Sequence, residues 1–455
     1  MKVVKFGGSS LADGPHVERA IAIIKEDPER RIIVTSAPGK RSADDVKVTD
    51  LLIAYATAVL HRDDYAEIRE KIIRRYFEIA AFFDLPQKAL QFIPQTITSL
   101  AETAFPNADY LMAAFKATGE RLNAFLLAAL LNHQGITAQF IDPKEAGIIV
   151  SDQLGPNNAT VLPQTYSHLA RFRESREVLV IPGFYGYTPN GEVATFSRGG
   201  SDITGAIIAR GVAAECYENF TDVDAIYAAN PTVVSHPRPI KEMTYREMRE
   251  LAYAGFSVFH DEALIPAIAG KIPVIVKNTN APQRPGTRII PATNFKPQTT
   301  ITGVACARNF SALYLHKYLL NKEVGVTLKI LKILSAHGIS YEHMPSGIDD
   351  LTIITRTSQL TPALRQQIAL DIQAAVQPDH LEWIDDYAII MVVGEGMHDR
   401  IGTTNGVTTA LAQANVAIHM INQGASRISI MVGVRASDAD RGTAAIYNYF
   451  EKEDA

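Results

Sequence analysis

The chain has 455 residues, 47% of them hydrophobic, 20% charged and 8% aromatic, with a net charge of −5. This is a globular profile too long for one hydrophobic core, so two or three domains are expected. The acidic balance, with no long basic run, argues against a nucleic-acid partner. The most apolar stretch, FLLAALL from residue 125, is too short to span a bilayer, so no membrane partner is expected either. Cys216 and Cys306 stand in no CxxC pair, which speaks against a disulfide framework or zinc site and fits a reducing, cytoplasmic location. Glycines interrupt the N-terminus after four apolar-rich residues, unlike a secretory leader.

In chain order, VVKF (3–6) reads as a strand before a helical pattern over 16–25. RIIVTSA (31–37) is a second strand and TDLLIAYATAVL (49–60) its helix. EVLVIPGF (177–184), AECYENFTDVD (214–224) and IPVIVKN (272–278) are further strands. Apolar strands alternating with helices predict a mostly parallel sheet covered on both faces. In MTYREMRELAYAG (243–255), Thr244 and Glu247 form a capping box, Met248, Leu251 and Ala252 share a face, and Gly255 ends the helix. Residues 281–300 carry four prolines and no long period, and read as a linker. Beyond it the chain repeats at an offset of 77 (402 − 325). Gly325 pairs with Gly402, Ile330 with Val407, Leu334 with Leu411, Ile339 with Val416, Gly347 with Gly424, and LTII (351–354) with ISIM (428–431). Each copy reads strand, helix, strand, turn, strand.

Several clusters carry chemistry. In KVVKFGGSS (2–10), glycines after a strand let backbone N–H groups approach an anion, and Lys5 adds a point charge suited to phosphate. The same residues also suit an ordinary turn with an outward lysine; they match neither GxxxxGK[ST] nor GxGxxG. TFSRGGSDITG (195–205) sets Arg198 before two glycines, Ser201, Asp202 and a helix start, a carboxylate fork beside an anion cradle or simply a capped helix. NFTDVDAIY (219–227) brings Asp222 and Asp224 to a strand end, where ligands bind open α/β sheets. Alternatively it is a polar exit from the strand. Glu120 and Arg121 in ATGERLNA (117–124) read, in isolation, as a solvated surface pair. FHDEA (259–263) lacks the second His of a metal site. His343, His398 and His419 read as ordinary.

Together these blocks resemble the amino acid kinase superfamily and, within it, the aspartate kinase family. KFGGSS, GER, PGFYG (182–186), SRGGSD, TDVDAIY, TYREMRELAYAGFSVFH and PGTRI (285–289) occur in that family's order. The chain is most similar to the monofunctional, lysine-responsive bacterial type, with the repeats as tandem ACT domains. The resemblance implies an α/β amino-acid-kinase fold, a mostly parallel open sheet covered by helices, followed by two α+β ferredoxin-like ACT domains. The implied boundaries are 1–296, 297–380 and 381–455.

The implied activity is ATP-dependent phosphorylation of the β-carboxylate of L-aspartate, the first step toward lysine, threonine, methionine and diaminopimelate. Feedback by lysine, with or without threonine, is also implied. Lys5, Gly8, Asp202 and Asp222 would be catalytic. Lys5 and the amides of Gly7, Gly8 and Ser9 would hold the transferring phosphoryl group, with Thr221, Asp222 and Tyr227 on the nucleotide side. Ser36, Thr49, Glu120, Arg198, Gly200 and Ser201 would bind aspartate, Glu120 through its α-ammonium and Arg198 through its α-carboxylate. Mg²⁺ is expected with ATP, without direct protein ligands. Effector residues would be Gly325, Val326 and Thr327 with Tyr341, Glu342, Ser346, Gly347, Ile348 and Asp349. A homodimer through the ACT domains, or a tetramer, is implied. Two departures stand out. Asn230-Pro231-Thr232 replaces the family's frequent Asp-Pro-Arg, and Ser257 replaces a lysine near the nucleotide. Lys277 is expected to share the phosphate grip with Lys5. The rivals are another amino acid kinase and a catalytically silent amino-acid sensor.

Overall fold

Strand β1 (Lys2–Phe6) forms where an apolar run meets the Gly7-Gly8 turn, and it lies inside an eight-stranded sheet. The computed structural model describes residues 1–197, 199–256, 261–293 and 295–454. From β1 the chain passes through α1 (Gly14–Glu26), β2 (Arg30–Thr35), α2 (Val48–His61), α3 (Ala66–Phe82), α4 (Phe92–Glu102), α5 (Ala108–His133) and β3 (Ala138–Phe140). There follow α6 (Pro143–Ala146), the small pair β4 (Val150–Ser151) and β5 (Thr160–Val161), α7 (Gln164–Leu169) and β6 (Val178–Pro182). A hairpin of β7 (Tyr185–Tyr187) and β8 (Val193–Thr195) leads to α8 (Gly200–Gly211) and β9 (Cys216–Thr221). Next come β10 (Glu242–Thr244), α9 (Tyr245–Tyr253), α10 (Ile265–Gly270), β11 (Val274–Asn278) and β12 (Thr287–Ile290).

The sheet order is β10-β12-β11-β9-β1-β2-β6-β3, parallel except where β11 meets β12. On one face Val4, Phe6, Ile33, Val180 and Phe220 bury against a helical layer that includes α1 to α5. Side chains alternate across a strand, so Lys5 and its register partner Asn219 point to the other face, toward α8. Gly205 of α8 fits there because a Cβ would lie 2.5 Å from the Tyr217 ring. Residues 281–300 are not a free linker: TRII forms β12, with Thr287 and Ile289 fully buried. A four-residue alternation is too short to stand out beside four prolines.

The chain divides into two units. The first holds Met1–Ile226, Pro239–Tyr245 and the segment ending at Phe295; the second holds Tyr227–Arg238, Arg246–Phe256 and the chain from Lys296 onward. In the second unit β13 (Gly303–His316), α11 (Val326–Ala336), β14 (Asp350–Arg356) and α12 (Pro362–Val376) form one copy. The other comprises β15 (His380–Val393), α13 (Thr403–Gln413), β16 (Met420–Asn422), β17 (Ser429–Arg435) and α14 (Ala439–Glu453). Both share one five-stranded antiparallel sheet, β14-β13-β15-β17-β16.

The repeat offset matches equivalent positions. Gly325 (φ +86°) and Gly402 (φ +92°) cap α11 and α13 from the left-handed region, which glycine enters without a Cβ penalty. Ile330 and Val407, on the inner faces of those helices, are both fully buried. The expected element pattern differs in two respects. In the first copy, two bridges, His343–Ile354 and Ser346–Leu351, stand where a strand was predicted. Each copy also ends in a further helix, α12 or α14. Among the described residues no helix is long and apolar enough to cross a membrane.

Candidate active site

The site grows from the turn after β1. Lys5 is buried to 8% exposure, and its Nζ lies 2.7 Å from Asp202 Oδ1 and 3.4 Å from Asn219 Oδ1. Asn219 Nδ2 donates to the same Asp202 oxygen at 2.7 Å. Strand register delivers Lys5 and Asn219 side by side, and the first turn of α8 delivers Asp202. The ammonium folds back over the turn: a Cβ at Gly7 would lie 3.5 Å from it.

The loops after β1 and β2 touch through glycines. Gly39 N donates to Gly8 O at 2.8 Å, and a Cβ on Gly39 would approach Gly8 C to 2.6 Å. Arg75 holds the second loop, donating to Gly39 O at 2.9 Å while paired with Asp45 at 2.7 Å. Gly7 departs from expectation. Its N–H is given to Phe220 O at 3.1 Å, which removes it from the donors expected for a phosphoryl group.

On the substrate side, Glu120 is 6% exposed on α5, not the solvated partner of Arg121 that an isolated pair suggested. Burial pushes its carboxyl up to about 8, against a smaller opposing effect of hydrogen bonding from the Ala37 backbone. Its Oε2 has no hydrogen-bond partner among the described residues. Asn123, one turn on, donates to Ser36 O at 2.6 Å. Val48 N donates to Pro38 O at 3.2 Å, which sets Thr49 in the first turn of α2 beside the same loop. Ser201 packs on Gly183, where a Cβ would lie 2.7 Å from its Oγ; Gly183 N in turn bonds Thr35 O at 2.9 Å. Gly200 is buried at the start of α8, just after Gly199 (φ +72°). Thus Ser36, Thr49 and Glu120 gather at one loop, and Gly200 and Ser201 reach the end of β2. Arg198 lies outside the described residues, as do Ser257 and the Phe259-His260 part of FHDEA.

On the side expected to face the nucleotide, Ser9 begins a 3₁₀ turn and the Thr221 hydroxyl donates to the exposed Asp222 at 3.1 Å. Asp224 is engaged by Asn278 at 2.6 Å and by Arg284. Tyr227 is half-buried in the second unit. Lys277 corrects an expectation. It is in register with Phe220, so it leaves the sheet on the face opposite Lys5. There it sits 3.9 Å from Glu218 and over the Phe220 ring. Glu218 is also gripped by buried Arg30 at 2.6 and 3.2 Å. Asn219, Gly39 and Arg75 were missed; the Glu218-Asn219 pair between aromatic residues of a strand was the available signal for the first.

The amino acid kinase family matches residues 1–278, and the ACT domain matches 390–450. Aspartokinase 3 of Bacillus subtilis is 46% identical, over 99% of this chain and 98% of that one. The chain belongs to the aspartate kinase family. The Clostridium acetobutylicum aspartate kinase structure superposes with a TM-score of 0.87 at 37% identity, covering 99% of this chain and 100% of that one. Escherichia coli aspartokinase III, solved with aspartate and ADP, gives 0.78 at 25% identity over 99% of this chain and 100% of that one. The same enzyme solved with lysine and aspartate gives 0.77 at 25%, over 99% of each chain.

As an aspartate kinase, the chain draws attention to its first repeat. Gly325 caps α11, and Val326 and Thr327 form its first turn. Tyr341 and Ile348 are 46% and 70% exposed. Glu342 N donates to Ile354 O at 2.7 Å, and its carboxylate takes Arg356 Nε at 3.2 Å. Ser346 bridges Leu351, and Gly347 N reaches Asp350 O at 2.8 Å. Asp349 receives Leu319 N at 2.8 Å, and Asn321 N donates to Ile348 O at 3.1 Å. The 346–349 loop is thereby tied to the segment leading into α11.

Proposed function

We propose that this aspartate kinase transfers the γ-phosphoryl group of ATP to the β-carboxylate of L-aspartate at the strand ends around Lys5. The supporting observation is the buried Lys5–Asp202–Asn219 cluster beside the Gly8–Gly39 contact. The β-carboxylate is ionised at neutral pH, so no general base is needed. The difficulty is bringing one anion up to another, and placement with charge neutralisation answers it. Lys5 supplies a positive point charge, held by Asp202 and oriented by Asn219. The Gly8–Ser9 turn lets backbone approach the phosphoryl group. Mg²⁺ would supply further neutralisation on the ATP phosphates, and the exposed Asp222 carboxylate fits contact with its hydration shell.

Glu120 recognises the substrate's α-ammonium. A buried carboxyl with an unpartnered oxygen gains most from an incoming cation. Arg198 takes the α-carboxylate. The first repeat binds an amino-acid effector with a side-chain ammonium, for which Glu342 and Asp349 are the acidic partners; the lysine complex of the Escherichia coli relative motivates this choice. Self-association through the repeats completes the proposal, and light scattering of the purified protein tests it.

The deciding experiment is ATP- and Mg²⁺-dependent trapping of aspartyl phosphate as its hydroxamate, with and without millimolar lysine. Turnover with L-aspartate is expected, suppressed by lysine. No turnover with aspartate refutes the catalytic reading, and turnover indifferent to lysine refutes the lysine effector.

A further inference from the structure

Helix α9 lies in sequence between β10 and β11, strands of the eight-stranded sheet, yet its residues from Arg246 onward belong to the second unit. Its two ends are held differently. Near the start, Glu247 is fully buried and accepts from Thr302 Oγ1 at 2.5 Å and from Glu395 N at 2.8 Å. At the end, the Tyr253 hydroxyl donates to Glu342 Oε2. The other oxygen of that carboxylate takes Arg356 Nε at 3.2 Å. The Arg356 guanidinium lies 5.5 Å from the Tyr253 ring centroid and 4.6 Å from that of Phe310. His343, 9% exposed, meets the Tyr253 ring edge-on at 6.2 Å, and its Nε2 has no hydrogen-bond partner among the described residues.

We infer that Glu342 is a shared carboxylate, which either clamps the end of α9 through Tyr253 or receives the side-chain ammonium of an amino-acid effector. Effector binding thereby releases α9. This rests on the effector reading of the first repeat given above, and adds to it the contact that carries the signal.

The competition is for the approach to one carboxylate. An ammonium brings three donors and a full charge, and it must come up to Glu342 oxygens that Tyr253 and Arg356 already face. Arg356 is charged and braced by two rings, so the neutral phenol is the weaker competitor and the one displaced. Loss of that contact loosens the last turn of α9, leaving Tyr253 held by its backbone oxygen, which accepts from Arg356 Nη2 at 3.5 Å; Gly255 (φ +109°) follows two residues beyond the helix. At its other end the helix continues directly from Thr244 into Tyr245, so its first residue and β10 are covalently adjacent. A ligand that binds better when the clamp is open must shift the protein toward the open form. By linkage, whatever opens the clamp must strengthen the ligand in turn.

The test uses full-length protein. Wild type and Tyr253→Phe are titrated calorimetrically with L-lysine and assayed for aspartate-dependent ATP turnover. The phenylalanine variant should bind lysine several-fold more tightly, because no clamp has to open. Its turnover without lysine should already match wild type at saturating lysine, with little further fall when lysine is added. A variant with wild-type affinity and wild-type response to lysine overturns the inference. Should the variant melt far below wild type, hydrogen exchange on wild type decides the matter. Saturating lysine must speed exchange of the last amides of α9, and unchanged exchange refutes the clamp. Wild type that binds no lysine refutes the effector reading itself, and does so before any variant is compared.

Discussion

Replacing Glu120 by Gln removes a titration whose size follows from its surroundings. Glu120 is 6% exposed and its carboxyl is pushed up to about 8, against 4.5 for the unburied group. Between those values the folded protein keeps a proton that the unfolded chain has released, so stability falls as pH rises through that window. Each pH unit costs about 1.4 kcal/mol, and the full window about 5 kcal/mol, absent below pH ~4.5 and complete above pH ~8. Urea unfolding of wild type and Glu120→Gln across this range reads the difference directly. The variant should gain on wild type steadily with pH and then level off. L-Aspartate brings a cation to the wild-type carboxylate, so saturating substrate should narrow the gap at high pH. Stability curves that stay parallel from acid to alkaline pH would refute the burial argument, and unaltered aspartate affinity in the variant would refute its substrate role.

Lys5→Ala should lower kcat at least about a hundredfold while changing the KM for aspartate far less, since the charge matters most as phosphoryl transfer proceeds. A variant with normal kcat would remove Lys5 from that role. Gly39→Ala sets a Cβ 2.6 Å from the Gly8 carbonyl carbon, and backbone must move to admit it. Turnover should fall at least about tenfold with the circular dichroism spectrum retained, because near-attack geometry tolerates displacements well under ~1 Å. Glu218→Ala leaves Arg30, 5% exposed, buried without its bidentate partner. The expected loss is about 3–5 kcal/mol in urea unfolding, and a neutral result would show that the pair contributes no net stability.

Most of the sheet was legible because parallel strands buried on both faces read as continuous apolar runs; β6, β9 and β11 fall inside predicted segments, and β1 and β2 each begin one residue before theirs. The helices α12 and α14 were not predicted, although Ile368, Ile372 and Val376 repeat at four-residue intervals on α12 and are all buried. That helix lies beyond the positions that the 77-residue offset pairs, which end at residue 354 in the first copy. Site residues on loops after strands were visible as glycine and charge patterns. The position of Lys277 was misjudged because its face depends on register against β9, which no single segment reveals. The burial of Glu120 was hidden for a similar reason. Adjacent charges on a helix point about 100° apart, so one can be solvated and the other enclosed by a loop distant in sequence. Asn219 was passed over as a strand residue, though a buried amide must find partners, and here those partners are Lys5 and Asp202.

The chain enters the second unit twice before it stays there, at Tyr227–Arg238 and Arg246–Phe256. These excursions are tied in: Val304 N donates to Ala228 O at 2.7 Å, and Met248 and Leu251 are fully buried. A catalytic fragment produced by stopping the chain near 296 would carry both excursions without the partners that cover them. The second unit is thus assembled from three separate stretches of chain, and grafting a foreign regulatory half onto this kinase would require exchanging all three.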